Sequence, residues 1–141
     1  MSAEVQTEAN QFNWLLVNFV RTTDGVRDAV AVSSDGLLIA TSDGLDRTGA
    51  DHLAAIVSSL ASLGRGAAKR YDFDALKLIM IEMRRGFLLV SAIEGGSCLG
   101  ALADASADLG VVGYELAMLA DRFGGLLTPA LVTESRRHLP L

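Results

Sequence analysis

From residue 13 to residue 129 the sequence runs as one unbroken alternation: an amphipathic helix, an apolar hairpin, a long helix rich in small residues, three apolar strands and a last helix. That order predicts an α+β domain on an antiparallel sheet, because turns as short as Arg84-Arg85-Gly86 and Glu94-Gly95-Gly96-Ser97 leave no room for the crossovers that parallel strands need. At 141 residues the chain has the size of one domain and can bury a core without disulfides or metals. The expected layout is a flexible segment over residues 1–11, one domain over 12–128 and a tail over 129–141.

Phe12, Leu15, Leu16, Phe19 and Val20 recur at helical spacing up to about Thr22. Trp14 and Val17 fall off that stripe and either cover a neighbouring loop or meet a partner. Strands over 26–34 and 37–42 flank Asp35-Gly36, a pair suited to a type I′ turn. Both strands are apolar at consecutive positions, so helices should cover both faces of the sheet. A capping box from Thr48 to Asp51 predicts a second helix reaching about Arg70, with Leu53, Ile56, Val57, Leu60 and Leu63 as its buried stripe. Ala54, Ala55, Ser58, Ala61, Ser62 and Gly64 keep the rest of that helix low, as a second packing surface or as helix-compatible filler. Arg65, Lys69 and Arg70 suit a solvated helix end, where cations offset the helix dipole.

Strands over 75–83, 87–93 and 98–103 follow. In the first, Leu76, Leu78 and Met80 face one way and Ile79, Ile81 and Met83 the other, with only Lys77 and Glu82 to deter pairing should it lie at an edge. Leu109, Val112, Leu116, Leu119 and Phe123 define the last helix, capped from 104–108 and closed by Gly124-Gly125.

The chemistry of catalysis is missing from this pattern. Gly95 and Gly100 have the spacing of a phosphate loop, but Ala101 and Leu102 stand where Lys and Ser or Thr are needed. Gly64-Arg65-Gly66 lacks the rest of a dinucleotide fingerprint. Asp72 and Asp74 have calcium-loop spacing, yet Ala75-Leu76-Lys77 supplies none of the following oxygen ligands. One cysteine, Cys98, and two histidines, His52 and His138, cannot assemble a zinc site, so neither metal nor cofactor is expected and the chain reads as a binder rather than an enzyme. A net charge of −5 sets a repulsive background for nucleic acid. With no signal peptide, no long apolar run and a lone cysteine, a cytoplasmic location without membrane insertion is expected. Arg84 and Arg85 either keep a hairpin tip solvated or reach a phosphate in a partner's site.

The order of elements, with Asn13-Trp14-Leu15-Leu16, Gly25-Val26, Ser34-Asp35-Gly36-Leu37 and the run Asp108-Leu109-Gly110-Val111-Val112-Gly113-Tyr114-Glu115, resembles the roadblock/dynein light-chain family, in particular its actinobacterial-type members. The resemblance spans about residues 13–131. It implies a roadblock-like α-β-β-α-β-β-β-α fold, a five-stranded antiparallel sheet with helices on both faces. It also implies a homodimer formed through the second helix and third strand, with Leu53, Ile56, Val57, Leu60, Gly64, Leu76, Leu78, Ile79, Met80 and Ile81 as interface candidates. The implied role is a non-enzymatic regulator or scaffold for a small Ras-like GTPase, similar to a gliding-motility regulator, with Trp14, Arg84 and Arg85 as candidate GTPase contacts. A sensor-kinase-like protein is a further implied partner, through which, or through the GTPase, the chain would be recruited to a membrane. The alternative from another class is a small-molecule sensory or general protein-interaction domain.

Overall fold

The computed structural model describes residues 3–127, with side chains from Gln11 onward. Its elements run α1 (Ala3–Thr22), β1 (Val26–Val32), β2 (Leu38–Thr41), α2 (Arg47–Arg70), β3 (Leu78–Met83), β4 (Gly86–Ala92), β5 (Cys98–Asp104) and α3 (Leu109–Leu126). The five strands form one antiparallel sheet in the order β2-β1-β5-β4-β3, so β2 and β3 are its edges. The α-β-β-α-β-β-β-α order and the five-stranded antiparallel sheet with helices on both faces, expected above, are the architecture observed.

Consecutive apolar residues in the strands serve two cores. α1 and α3 cover one face, where Phe12, Leu16, Leu89, Leu99, Leu116 and Phe123 are fully buried and the Phe12 and Phe123 rings stack 5.2 Å apart. α2 covers the other face, against Val30, Val32, Leu38, Leu88, Val90 and Cys98. Gly100 is the seat of that packing rather than part of a phosphate loop: a β-carbon there would collide with Val57 of α2. The Cys98 thiol is buried in the same core, and burial pushes its pKa up against the opposing pull of Arg65.

Several local expectations are corrected. The stripe of α2 on the sheet is Ala50, Leu53, Ala54, Val57 and Ala61, while Ile56 and Leu63 are exposed and Leu60 is half-buried. Alanines take the inner positions because the helix lies close to the sheet at Gly100. The cap of α2 is Asp46, whose carboxylate accepts from the Gly49 N–H at 2.7 Å, so Thr48 lies inside the first turn and Asp51 pairs instead with Arg47 at 3.2 Å. Arg65 is not a solvated end charge: its guanidinium donates to the Gly96 and Ser97 carbonyls at 2.6 and 3.3 Å. At the β1–β2 turn only Gly36 has positive φ, 86°, which excludes type I′, and Gly36 N–H closes the turn onto the Ser33 carbonyl. α3 is capped by Asp108 as expected but continues through Gly124-Gly125 to Leu126. α1 extends back to Ala3, into the segment expected to be flexible, where Ala, Glu and Gln favour helix. The tail 129–141 and His138 lie outside the described residues.

Candidate interaction surface

The sheet edge at β3 and the outward side of α2 meet along one border of the molecule. β3 pairs with β4 from Leu78↔Ser91 to Met83↔Gly86, and among the described residues no strand lies beyond it. The Ala92 N–H donates to the Lys77 carbonyl at 3.0 Å, so Lys77 and Ala92 are a hydrogen-bonded pair. Alternation along an antiparallel ladder then turns the backbone groups of Ile79 and Ile81 toward β4 and those of Leu78, Met80 and Glu82 toward the open edge.

Side chains alternate too. Leu76, Ile79 and Ile81 lean against the core beneath α2 and are only partly covered. Leu78 and Met80 lie on the opposite face, 41% and 45% exposed. Leu76 thus joins Ile79 and Ile81 rather than Leu78 and Met80, because the chain bends before β3 begins. Asp72 and Asp74 hold positive φ of 55° and 77°, which shortens the strand to Leu78–Met83 from the expected 75–83. Gly64 lets Leu76 and Ile79 lie close to α2 at the junction: a β-carbon would stand 2.9 Å from Leu76 Cδ1 and 3.2 Å from Ile79 Cδ1, so those side chains would have to shift.

The candidate residues therefore divide. Leu53 and Val57 are buried in the chain's own core and offer nothing to a partner. Ile56, Leu60, Gly64, Leu76, Leu78, Ile79, Met80 and Ile81 border the open edge or the outer side of α2. Arg84 and Arg85 form the exposed turn at the far end of β3. Trp14 is 60% exposed on α1, which covers β1 and β2, and so is not brought to this edge.

Sequence reasoning missed Tyr71, Phe73 and the openness of Leu63. Phe73 is 78% exposed and Leu63 73%, the largest exposures among the big apolar residues described. The Tyr71 and Phe73 rings lie 6.3 Å apart and border a groove of about 570 Å³ with Gly64, Ala67, Leu76 and Leu78. The available signal was two aromatics alternating with aspartates in a loop without apolar periodicity, in a chain only 6% aromatic. A second groove of about 490 Å³ lies behind Ala75 and Leu76, bordered by Arg65, Ile93 and Gly96. Among the described residues no three His, Cys, Asp or Glu side chains gather in a way that could hold a metal ion, and His52 is exposed on α2. Along this border the described residues place apolar side chains, outward-facing backbone groups and charges at each end.

Against known proteins, residues 12–103 match the family model of the Roadblock/LC7 domain. An uncharacterized protein of Methanocaldococcus jannaschii is 34% identical over 105 residues, 71% of this chain and 83% of that protein. A crystal structure of a Roadblock/LC7 domain from Streptomyces avermitilis is 39% identical, with a TM-score of 0.74 over 79% of this chain and 92% of that one. MglB of Myxococcus xanthus reaches the same TM-score over 82% of this chain and 93% of its own at 16% identity, a likeness of fold alone.

Proposed function

Since the chain belongs to the Roadblock/LC7 domain family, we propose that it is a non-enzymatic, homodimeric regulator or scaffold that binds a small Ras-like GTPase and modulates its hydrolysis or its location. Members of this family are generally adaptors or regulators. The observation that carries the reading is the open β3 edge beside the exposed Ile56 and Leu63 of α2. A second copy placed there continues the sheet and covers both apolar side chains. The surface composed by the two copies then faces the GTPase. No helix among the described residues is long and apolar enough to cross a membrane; placement there through partners is part of this proposal.

A specific dimer of this kind should bury at least about 1,000 Å² and persist at micromolar concentration. Light scattering that reports only monomer there removes the dimer. A regulator shifts a switch only by binding its two states unequally. The chain, immobilised and presented with a small GTPase encoded beside it, is expected to retain the triphosphate-loaded and diphosphate-loaded forms to different extents. Equal retention with unchanged hydrolysis removes the regulatory role and leaves a scaffold.

A further inference from the structure

The open edge constrains how a second copy can sit on it. A two-fold axis perpendicular to the sheet keeps both α2 helices on one side, so residues opposite each other must point to the same face, even positions against even. Leu78, Met80 and Glu82 carry the backbone groups that face away from β4, and the register that uses all three puts Met80 opposite Met80 of the second copy and Leu78 opposite its Glu82. That register forms about six backbone hydrogen bonds, against about four for a slip of two residues in either direction. It brings Ile79 of each copy opposite Ile81 of the other on the α2 side.

The same register decides what lies beyond the strand. Arg84 and Arg85 of one copy pass beyond Leu78 of the other, toward the bend where its chain enters β3 from the loop Tyr71-Asp72-Phe73-Asp74. All four loop residues are exposed, and both aspartates hold left-handed backbone that only a few residue types tolerate. Among the described residues Arg84, Arg85, Asp72 and Asp74 take part in no ion pair. Two aromatic rings alternating with two carboxylates are a surface that arginine recognises, since the planar guanidinium stacks on rings and forks onto carboxylates.

We infer that the Arg84-Arg85 tip of each copy docks on the 71–74 loop of the other, a reciprocal clasp that fixes the register of the β3–β3 contact and turns these arginines toward the second copy rather than the GTPase. The inference rests on the homodimer reading above. It explains why two aromatics stand in water on a bent loop, and why the tip and the loop, at opposite ends of β3, carry opposite charge.

The test is a double-mutant cycle on dimer dissociation, measured by sedimentation, with the tip variant Arg84→Ala/Arg85→Ala, the loop variant Asp72→Asn/Asp74→Asn and their combination. Asparagine keeps the tolerance for positive φ, and circular dichroism checks each fold. Each variant alone is expected to raise Kd about tenfold or more, and the combination little beyond either, because both remove one contact. Unchanged Kd in either variant, or effects that multiply as independent ones, overturns the clasp. So does a tip variant that dimerises normally but loses the GTPase, which returns the arginines to that partner. A wild-type chain that is itself monomeric fails the homodimer reading instead, and the two failures are distinct.

Discussion

The two edges of the sheet are treated in opposite ways. β2 is four residues long and wholly buried, and the Thr41 N–H that would face outward is taken by the Asn13 side chain of α1 at 3.1 Å. β3 is six residues long and mostly exposed, and among the described residues no strand pairs with its outer side at Leu78, Met80 and Glu82. A long apolar edge invites pairing, and a chain with two such edges could add copies without end. With one edge sealed by a helix and its asparagine, the homodimer proposed above would close after a single two-fold step. The contrast teaches that, in such a dimer, the sealed edge would limit assembly as much as the open edge permits it.

The comparison breaks most visibly within β3 itself. Ile79 turns its N–H toward β4, so Ile79→Pro removes an internal ladder bond, leaves its acceptor without a partner and should lower the unfolding free energy by at least about 1–3 kcal/mol. Met80 turns its N–H outward, so Met80→Pro costs no internal bond but blocks the joining of two sheets. The expected result is a folded monomer for Met80→Pro and a poorly folded chain for Ile79→Pro. Denaturant unfolding, run dilute enough that the wild type is itself dissociated, with light scattering alongside, checks both. A Met80→Pro chain that still dimerises moves the interface away from this edge.

The two edges were unequally legible in sequence. The number and order of strands and helices follow from apolar period and turn residues, and the α3 stripe of Val112, Leu116, Leu119 and Phe123 is buried as its spacing requires. On α2 the same rule misled. Ile56 and Leu63 fit a helical stripe as well as Ala50, Ala54 and Ala61 do, and only the close approach at Gly100 decides that alanines go inside. Which strands are edges is a property of topology, set by pairings such as β1 with β5 that no local pattern records. Asn13 looked like one residue of a family motif; that it closes β2 depends on a contact 28 residues away in sequence. Sequence reasoning passes over Tyr71 and Phe73, although it weighs Asp72 and Asp74 beside them as cation ligands, because neither strand nor helix period runs through the loop.

Two smaller effects sharpen the contrast. Asn13→Ala leaves the buried Thr41 N–H without its acceptor and should cost about 1–3 kcal/mol of stability with no change in association, because β2 remains short and lies under α1. New higher oligomers in that variant would mean that the asparagine alone had held the edge shut. Leu63→Lys does the reverse. At 73% exposure its effect on protomer stability should stay within about 0.5 kcal/mol, while dimer dissociation rises several-fold if α2 lies in the contact. Sedimentation and urea unfolding on the same samples separate the two quantities.

The smallest effect concerns Asp28, on β1 beside the sealed edge. The Ser42 hydroxyl donates to its carboxylate at 3.3 Å and also accepts the Ala29 N–H at 3.0 Å, and Gly44 lies against the carboxylate where any β-carbon would collide. Burial raises the Asp28 pKa above its ordinary 3.8, against the lowering pull of Ser42 and Arg27, with Asp43 adding to the rise. A carboxyl whose folded pKa exceeds its unfolded one favours folding in its protonated form. That contribution is fully present below the unfolded pKa and is lost as pH climbs through the folded value. Asp28→Asn stays neutral throughout, so its stability relative to wild type should rise as pH is taken from below 3.8 up to neutrality, by urea unfolding at each pH. A relative fall over the same window would mean that the hydrogen bond from Ser42 outweighs burial. In that case β1 depends on the charge of Asp28 rather than carrying it at a cost.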